Sequence, residues 1–394
     1  MSDNKFLSGR TAVVGLGATE FSKDSGRSEI QLGVEAISMA LADAGLSIDE
    51  VDGMATYTMD NNPEIELYRL LGGKELKFFS RTHYGGGAAC GPLLHAAMAV
   101  ATGVCKAVVV YRAMNERSGF RFGQGGLISN DPNSFETVHF GWYMPFGLST
   151  PASWVAMCAK RYLHVHGAEP DDFGRVAVST RDFAATNPAA FFYQKPITLD
   201  DYRKSRWIAE PLRLFDCCQE SDGAVAMVIT SIERARDLKQ KPVVIRGAAQ
   251  GAAGDLQMMT GFYRPDLTGI PEMGLVARQL YGMAGIGPQD IQTAVLYDHF
   301  TPFVLPQLEE FGFCGRGEAK DFIRAGHISR GGKLPVNTHG GQIGEAYIHG
   351  LNGVAEGVRQ VRGTAVNQTP GVEHALVTAG TGVPTSGVIF GVDR

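Results

Sequence analysis

Six cysteines and ten histidines are the first residues of this 394-residue chain whose chemistry depends on spacing. The cysteines (Cys90, Cys105, Cys158, Cys217, Cys218 and Cys314) form no C-x-x-C pair, and a chain this long builds a core without staples. They read as reduced thiols in a cytoplasmic protein. The histidines show no H-E-x-x-H or comparable ligand pattern. His164 and His166 stand two apart and, in a helix, would point away from each other. No resident metal is expected. Gly15, Gly17 and Ala18 match a dinucleotide-binding turn weakly. However, Phe21-Ser-Lys-Asp-Ser-Gly26 follows where a helix should open, so a turn ahead of a loop is expected.

The elements that position such residues follow from composition and repetition. Glycine fills 50 of 394 positions, about 13% against roughly 7% in average chains. With 44% hydrophobic and 20% charged residues and no G-X-Y period, this excess marks tight turns in a compact fold. A net charge of −5 argues against a nucleic-acid partner. The N-terminus lacks a signal-type apolar region, and no run approaches the roughly 18 apolar residues of a membrane span.

A β-type run ending in glycine, Arg10–Gly17, returns as Gln240–Gly247. A helix stopping at Gly45 and a strand ending at Tyr57 return as a helix stopping at Gly285 and a strand ending at Tyr297, each offset by 240. Glycine clusters opening helices recur at Gly85–Cys90 and Gly340–Gly344, followed by buried strands Lys106–Tyr111 and His374–Thr378. The expectation is a mixed or mostly parallel α/β sheet in two duplicated halves, 1–239 and 240–394. An insertion, 115–207, carries helices at 151–164 and 170–185 and aromatic clusters at Phe120–Phe122, Phe140–Phe146 and Phe191–Tyr193. These clusters suit an apolar pocket, core packing or a partner face.

The segment Pro211-Leu-Arg-Leu-Phe-Asp-Cys-Cys, followed by Ser221-Asp-Gly-Ala224, resembles the signature of sterol-carrier-protein-type thiolases. The elements after Gly45, the glycines near 340 and the loop Ala379-Gly-Thr-Gly382 extend the resemblance along essentially the whole chain. It implies a five-layer α-β-α-β-α sandwich of two similar halves and a tight homodimer.

The chain departs from that family at its catalytic motifs. The nucleophile position aligns with Gly87, and Cys90 falls three residues later, one helical turn deeper (roughly 4–5 Å at 1.5 Å per residue). The H-D-x-F motif reads Tyr297-Asp298-His299-Phe300. The G-H-P motif reads Glu345-Ala346-Tyr347-Ile348, and the last-loop cysteine aligns with Ala379. Tyr297 and Tyr347 thus replace both catalytic histidines. Without a thiolate no acyl-enzyme forms. The scaffold still offers backbone N–H groups at Gly87 and at the Gly380–Gly382 loop for an enolate oxygen.

These parts suit retro-aldol cleavage of a β-hydroxyacyl-CoA, with the two tyrosines moving protons. A phenol titrates near 10, so a phenol acting as base needs a cationic or donor neighbour. His299 is the candidate, two residues along a strand from Tyr297 and on its face; a satisfied, half-buried role for it is the alternative. Asp298 points the other way.

The resemblance narrows to actinobacterial steroid side-chain-cleaving aldolases. That group converts a 17-hydroxy-3-oxopregnene-carboxyl-CoA into a 17-ketosteroid and propionyl-CoA, and works with an OB-fold/zinc-ribbon domain of an associated hydratase. No cofactor is expected beyond the substrate's CoA, and any zinc would belong to the partner. A thiolase acting through Cys90 and a non-catalytic lipid carrier are the rival readings.

Overall fold

The computed structural model describes residues 5–58, 60–83, 85–119, 121, 133–255, 260–380 and 385–393. The chain opens with β1 (Thr11–Ala18), α1 (Glu29–Ala44), β2 (Gly53–Tyr57), α2 (Glu64–Leu70), β3 (Phe78–Thr82), α3 (Gly91–Ala101) and β4 (Ala107–Asn115). The insertion supplies α4 (Phe135–Gly141), α5 (Pro151–His166), α6 (Pro170–Thr186) and α7 (Leu199–Lys204), and a small hairpin follows at its end, β5 (Trp207–Ala209) with β6 (Leu212–Arg213). Then come β7 (Asp222–Ser231), α8 (Ile232–Ala235), β8 (Val243–Gly251), α9 (Pro271–Ala284) and β9 (Thr293–Val295). The chain finishes with α10 (Val304–Glu310), α11 (Ala319–Arg324), α12 (Leu351–Arg362), β10 (His374–Ala379) and β11 (Thr385–Val392).

Nine strands hydrogen-bond in the order β3-β2-β4-β7-β1-β8-β11-β10-β9. The order β2-β4-β7-β1 in the first half mirrors β9-β10-β11-β8 in the second, which is the repeat expected from the offset of 240. The halves meet where β1 pairs with β8 through only Ala12↔Val244 and Val13↔Val243. Pairing is mixed but not mostly parallel. β2 runs parallel to β3 and β4, and β9 to β10, while the pairings through β7, β1, β8 and β11 are antiparallel. The returning strands β7 and β11 cause this, each entering beside a strand of opposite direction.

One core cluster joins α3 and α12 to both halves of the sheet. A second packs α1 on the outer face of the first half. A third packs α9, α10 and the insertion helices on the outer face of the other. Helix, sheet, helix pair, sheet, helix is the layering expected of a thiolase-like sandwich.

The reading of Gly15 and Gly17 as a turn is corrected: both lie inside β1. A Cβ on Gly15 would come within 2.1 Å of the Ala40 carbonyl oxygen, and one on Gly17 within 2.1 Å of that of Ala36. These glycines let α1 lie directly on the strand, a packing requirement that imitates a binding motif in sequence. No helix among the described residues is long and apolar enough to cross a membrane.

Candidate active site

Tyr297 follows β9, and its backbone is clamped on both sides. Its N–H donates to Gln307 Oε1 (3.2 Å) and Thr378 Oγ1 (3.1 Å), and Gln307 Nε2 donates back to its carbonyl (2.9 Å). Gln307 comes from α10 and Thr378 from β10, so two elements fix one phenol.

Tyr347 follows a π-helical turn, Gly341–Glu345. This corrects the expectation that the glycines near 340 open a helix, since α12 begins only at Leu351. The π-turn forms because Gly340 and Gly341 take positive φ (110° and 61°) against close neighbours. A Cβ on Gly341 would lie 2.0 Å from Asp298 Oδ2. Asp298 accepts from Gln342 N (2.8 Å), and burial raises its carboxyl to about 7. Glu345 accepts from Asn187 and Asn352, with its carboxyl also raised to about 7 by burial. The insertion takes part, because Phe191 N and Phe192 N donate to the carbonyls of Glu345 and Gly344. Tyr347 N donates to Ser221 Oγ (3.1 Å), and Cys218 N donates to the His299 carbonyl (2.8 Å). The segment that carries the family signature is therefore a strap across both tyrosine loops.

The two phenol oxygens stand 3.2 Å apart in a hydrogen bond, with both side chains buried. Burial pushes both phenols well above their usual range. For Tyr347 the neighbouring Tyr297 adds to the rise, whereas the bond to Tyr347 partly offsets it for Tyr297. The unperturbed pair is two neutral phenols.

His299 lies beside Tyr297, ring centroids 4.8 Å apart, stacked on Phe303. Its expected place along a strand is corrected, and of the cationic or donor role expected of it the cationic one is removed. β9 stops at Val295, so the two residues meet through an irregular segment and not along a strand. Burial also pushes the imidazole down to about 3, so it supplies no cation to lower a phenol.

Gly87 sits in a 3-10 turn, Gly85–Ala88, against Gly380; a Cβ on Gly380 would lie 3.1 Å from Gly87 Cα. Gly86 closes on the phenols, since a Cβ there would lie 1.6 Å from Tyr297 Oη. Tyr297, Tyr347, His299, Gly87 and Gly380 thus converge on one place. Gly382, Phe120 and Phe122 lie outside the described residues. Phe140 is buried against Tyr143 and Trp154 rather than lining the site.

Cys90 is not one turn inside a helix, because α3 begins at Gly91 and Cys90 is its N-cap. The 3-10 turn consumes the residues that an earlier helix start would have used. Its N–H donates to Ser386 Oγ (3.1 Å), its Sγ faces the Val377 carbonyl at 3.9 Å, and burial raises the thiol to about 12. The Cys218 thiol, nearer the phenols, is likewise pushed well above its usual range by burial. Neither sulfur stands as a thiolate.

Sequence reasoning missed a second buried layer. His349 takes a left-handed conformation (φ 52°), and its Nδ1 lies 3.0 Å from Arg112 Nη2. Arg112 is fully buried, donates to the carbonyls of Tyr57 and Thr58, and faces Asp60 at 3.8 Å. The Tyr57 hydroxyl donates to the His349 carbonyl (3.0 Å). The signal was present as a histidine two residues after Tyr347, just beyond the compared motif.

A duplicated α/β sandwich that buries a hydrogen-bonded pair of phenols, with the Cys90 and Cys218 thiols pushed up by burial, defines a thiolase-like fold whose site is not built around an exposed thiolate. Residues 254–390 match the family described as thiolase C-terminal domain-like. The chain is 64% identical over 385 residues to the 17-hydroxy-3-oxo-4-pregnene-20-carboxyl-CoA lyase of Mycobacterium tuberculosis, covering 98% of this chain and 100% of that one. It is 62% identical to the steroid side-chain-cleaving aldolase of Thermomonospora curvata, covering 98% and 99%. The solved Ltp2-ChsH2(DUF35) aldolase superimposes with a TM-score of 0.95 at 61% identity, covering 99% of each chain. Human mitochondrial 3-ketoacyl-CoA thiolase, at 14% identity and a TM-score of 0.68 over 99% of this chain and 100% of that one, shares the fold alone. The chain belongs to the steroid side-chain-cleaving aldolases of the thiolase superfamily and is a carbon–carbon lyase.

Proposed function

We propose that this lyase cleaves 17-hydroxy-3-oxo-4-pregnene-20-carboxyl-CoA by retro-aldol chemistry, releasing a 17-ketosteroid and propionyl-CoA. The observation that carries the mechanism is the pair of buried, mutually hydrogen-bonded phenols. Cleavage removes the proton of the 17-hydroxyl as C17–C20 breaks. The bonding pair enters the thioester enolate, and C20 must then be protonated. A standing phenolate is costly in this site, since burial favours the neutral form of both tyrosines. A relay avoids it: one phenol accepts the hydroxyl proton as it passes its own to the second, which supplies C20. The pair ends as it began, and the atoms balance without added CoA, nucleophile or redox partner. Gly87 and Gly380 are suited by position to face the enolate oxygen.

Assembly is part of the same reading. The edge strand β3 leaves one ladder side open and exposes Phe79, so a second copy of the chain is the proposed neighbour there. Trp142 and Phe146, 69% and 79% exposed, form an apolar face suited to an OB-fold/zinc-ribbon partner. Any zinc would reside in that partner. The unpaired state of all six cysteines fits a cytoplasmic site.

The test is an assay on the 17-hydroxy steroid acyl-CoA without free CoA, with and without the OB-fold partner. Propionyl-CoA and 17-ketosteroid in equal amounts support the reading. Turnover only of a 3-ketoacyl-CoA with added CoA would replace it with thiolysis, and tight lipid binding without turnover would replace it with a carrier.

A further inference from the structure

Three groups in contact link the first half of the sheet to the phenols: Asp60, Arg112 and His349. Asp60 follows β2 and accepts from Asn62 N and, through its second oxygen, from Ala113 N (2.8 and 2.9 Å). It lies 3.8 Å from Arg112 Nη1, with both side chains fully buried. Burial pushes the Asp60 carboxyl up, and the facing Arg112 guanidinium partly offsets that rise. An arginine has donors only, and its Nη2 stands 3.0 Å from His349 Nδ1. Nδ1 must therefore accept. In the neutral ring that places the proton on Nε2, so the tautomer is set by the contact. Burial and the adjacent Arg112 charge both push the imidazole well below its usual range, so the ring stays neutral.

The opposite edge of the ring is turned to the phenols. A Cβ built on Gly86 would lie 2.9 Å from His349 Cδ2 and 1.6 Å from Tyr297 Oη, and one on Gly85 would lie 3.8 Å from His349 Nε2. The ring centroid is 5.5 Å from that of Tyr347. The Cδ2–Nε2 edge of the ring and the Tyr297 hydroxyl thus close on the same glycine pair, Gly85 and Gly86, so the edge that carries the N–H lies on the phenol side. The ring is held there at some conformational cost, because a non-glycine residue at φ 52° is uncommon. The Tyr57 hydroxyl bonded to the His349 carbonyl offsets that cost.

We infer that His349 is a third catalytic group: a neutral imidazole, held by Arg112 and Asp60, whose Nε2–H donates a hydrogen bond to the thioester oxygen as enolate charge develops there. The inference rests on the retro-aldol reading. No proton leaves the ring. The C–C bonding pair becomes the enolate, its charge collects on the oxygen, and the fixed donor stabilises it more than it stabilises the ground-state carbonyl. A neutral donor suits this task, since it does not protonate the enolate oxygen.

Two substitutions separate this role from a spacer role. His349→Asn keeps an acceptor for Arg112 and tolerates positive φ, but loses the distal donor. His349→Gln keeps a distal N–H at the cost of the Arg112 contact. The expected result is a kcat loss on the order of 10²–10³-fold for His349→Asn with KM within about threefold, and a smaller kcat loss for His349→Gln. A His349→Asn enzyme with wild-type kcat overturns the inference while the wild-type cleavage measured beside it keeps the retro-aldol reading in place. A second measurement needs no turnover. Nitrogen-15 spectra of the labelled wild-type protein should show His349 with Nε2 protonated and Nδ1 bare, and an Nδ1–H tautomer overturns the inference even if both variants fail to fold.

Discussion

At the scale of single residues, the site works by keeping ionisable groups neutral. Tyr297 and Tyr347 are pushed up by burial, and His299 is pushed down to about 3 by the same desolvation. The signs differ because the charged form is an anion in one case and a cation in the other. Tyr297→Phe and Tyr347→Phe should each lower kcat by about 10²–10⁴-fold, the usual range for a lost acid/base group, with circular dichroism unchanged. Full activity in either variant removes that tyrosine from the relay. Cys90→Ala should leave kcat near wild type. His299, neutral with a pKa of about 3, should keep one imidazole chemical shift from pH 5 to pH 8. A titration midpoint near 6 would restore the cationic alternative of the cationic-or-donor role expected from its sequence position.

At the scale of elements, glycines decide where chain meets chain. Gly86 leaves room for the Tyr297 hydroxyl, and Gly86→Ala would place a methyl 1.6 Å from it. Such a variant should retain its fold and lose most of its cleavage rate, measured as kcat on the steroid acyl-CoA. Gly17→Ala strikes backbone instead, 2.1 Å from the Ala36 carbonyl oxygen. It should lower unfolding free energy by about 1–3 kcal/mol in urea titration, with the active site intact.

The same elements show what was readable beforehand. The helix ends at Gly45 and Gly285 and the strand Gly53–Tyr57 follow from local periodicity and stop signals, which are properties of short segments. The two tyrosines were visible because they interrupt motifs of known spacing. Gly15 and Gly17 were misread because close packing and a phosphate turn demand the same residue. Arg112 and His349 were invisible for a different reason. They are 237 positions apart, and no local pattern says that an arginine in a hydrophobic strand finds an imidazole across the molecule.

At the scale of the whole molecule, stability and assembly depend on pairs made between distant segments. Asp60→Ala leaves the Arg112 charge buried without its carboxylate. Thermal or chemical denaturation should then show a loss of about 3–5 kcal/mol, the range for breaking a buried ion pair. A change under 1 kcal/mol would mean that the guanidinium is satisfied by carbonyls alone. The β3 edge makes a second prediction. If β3 carries the proposed self-contact, Phe79→Glu places a charge on the open ladder and sedimentation should shift toward the smaller species. An unchanged sedimentation coefficient would move the self-contact elsewhere.

The offset of 240 has one last consequence at the heart of the molecule. Tyr57 is the last residue of β2, and Tyr297, 240 positions later, follows the end of β9 by two residues. They arrive from opposite sides at the segment 347–349. Tyr57 ends on the backbone carbonyl of His349, and Tyr297 ends on the hydroxyl of Tyr347. Two phenols 240 positions apart thus meet one short segment: the first braces its backbone, and the second hydrogen-bonds its side chain. The segment 347–349 is therefore held from both halves of the repeat, and a change at either tyrosine reaches the same three residues.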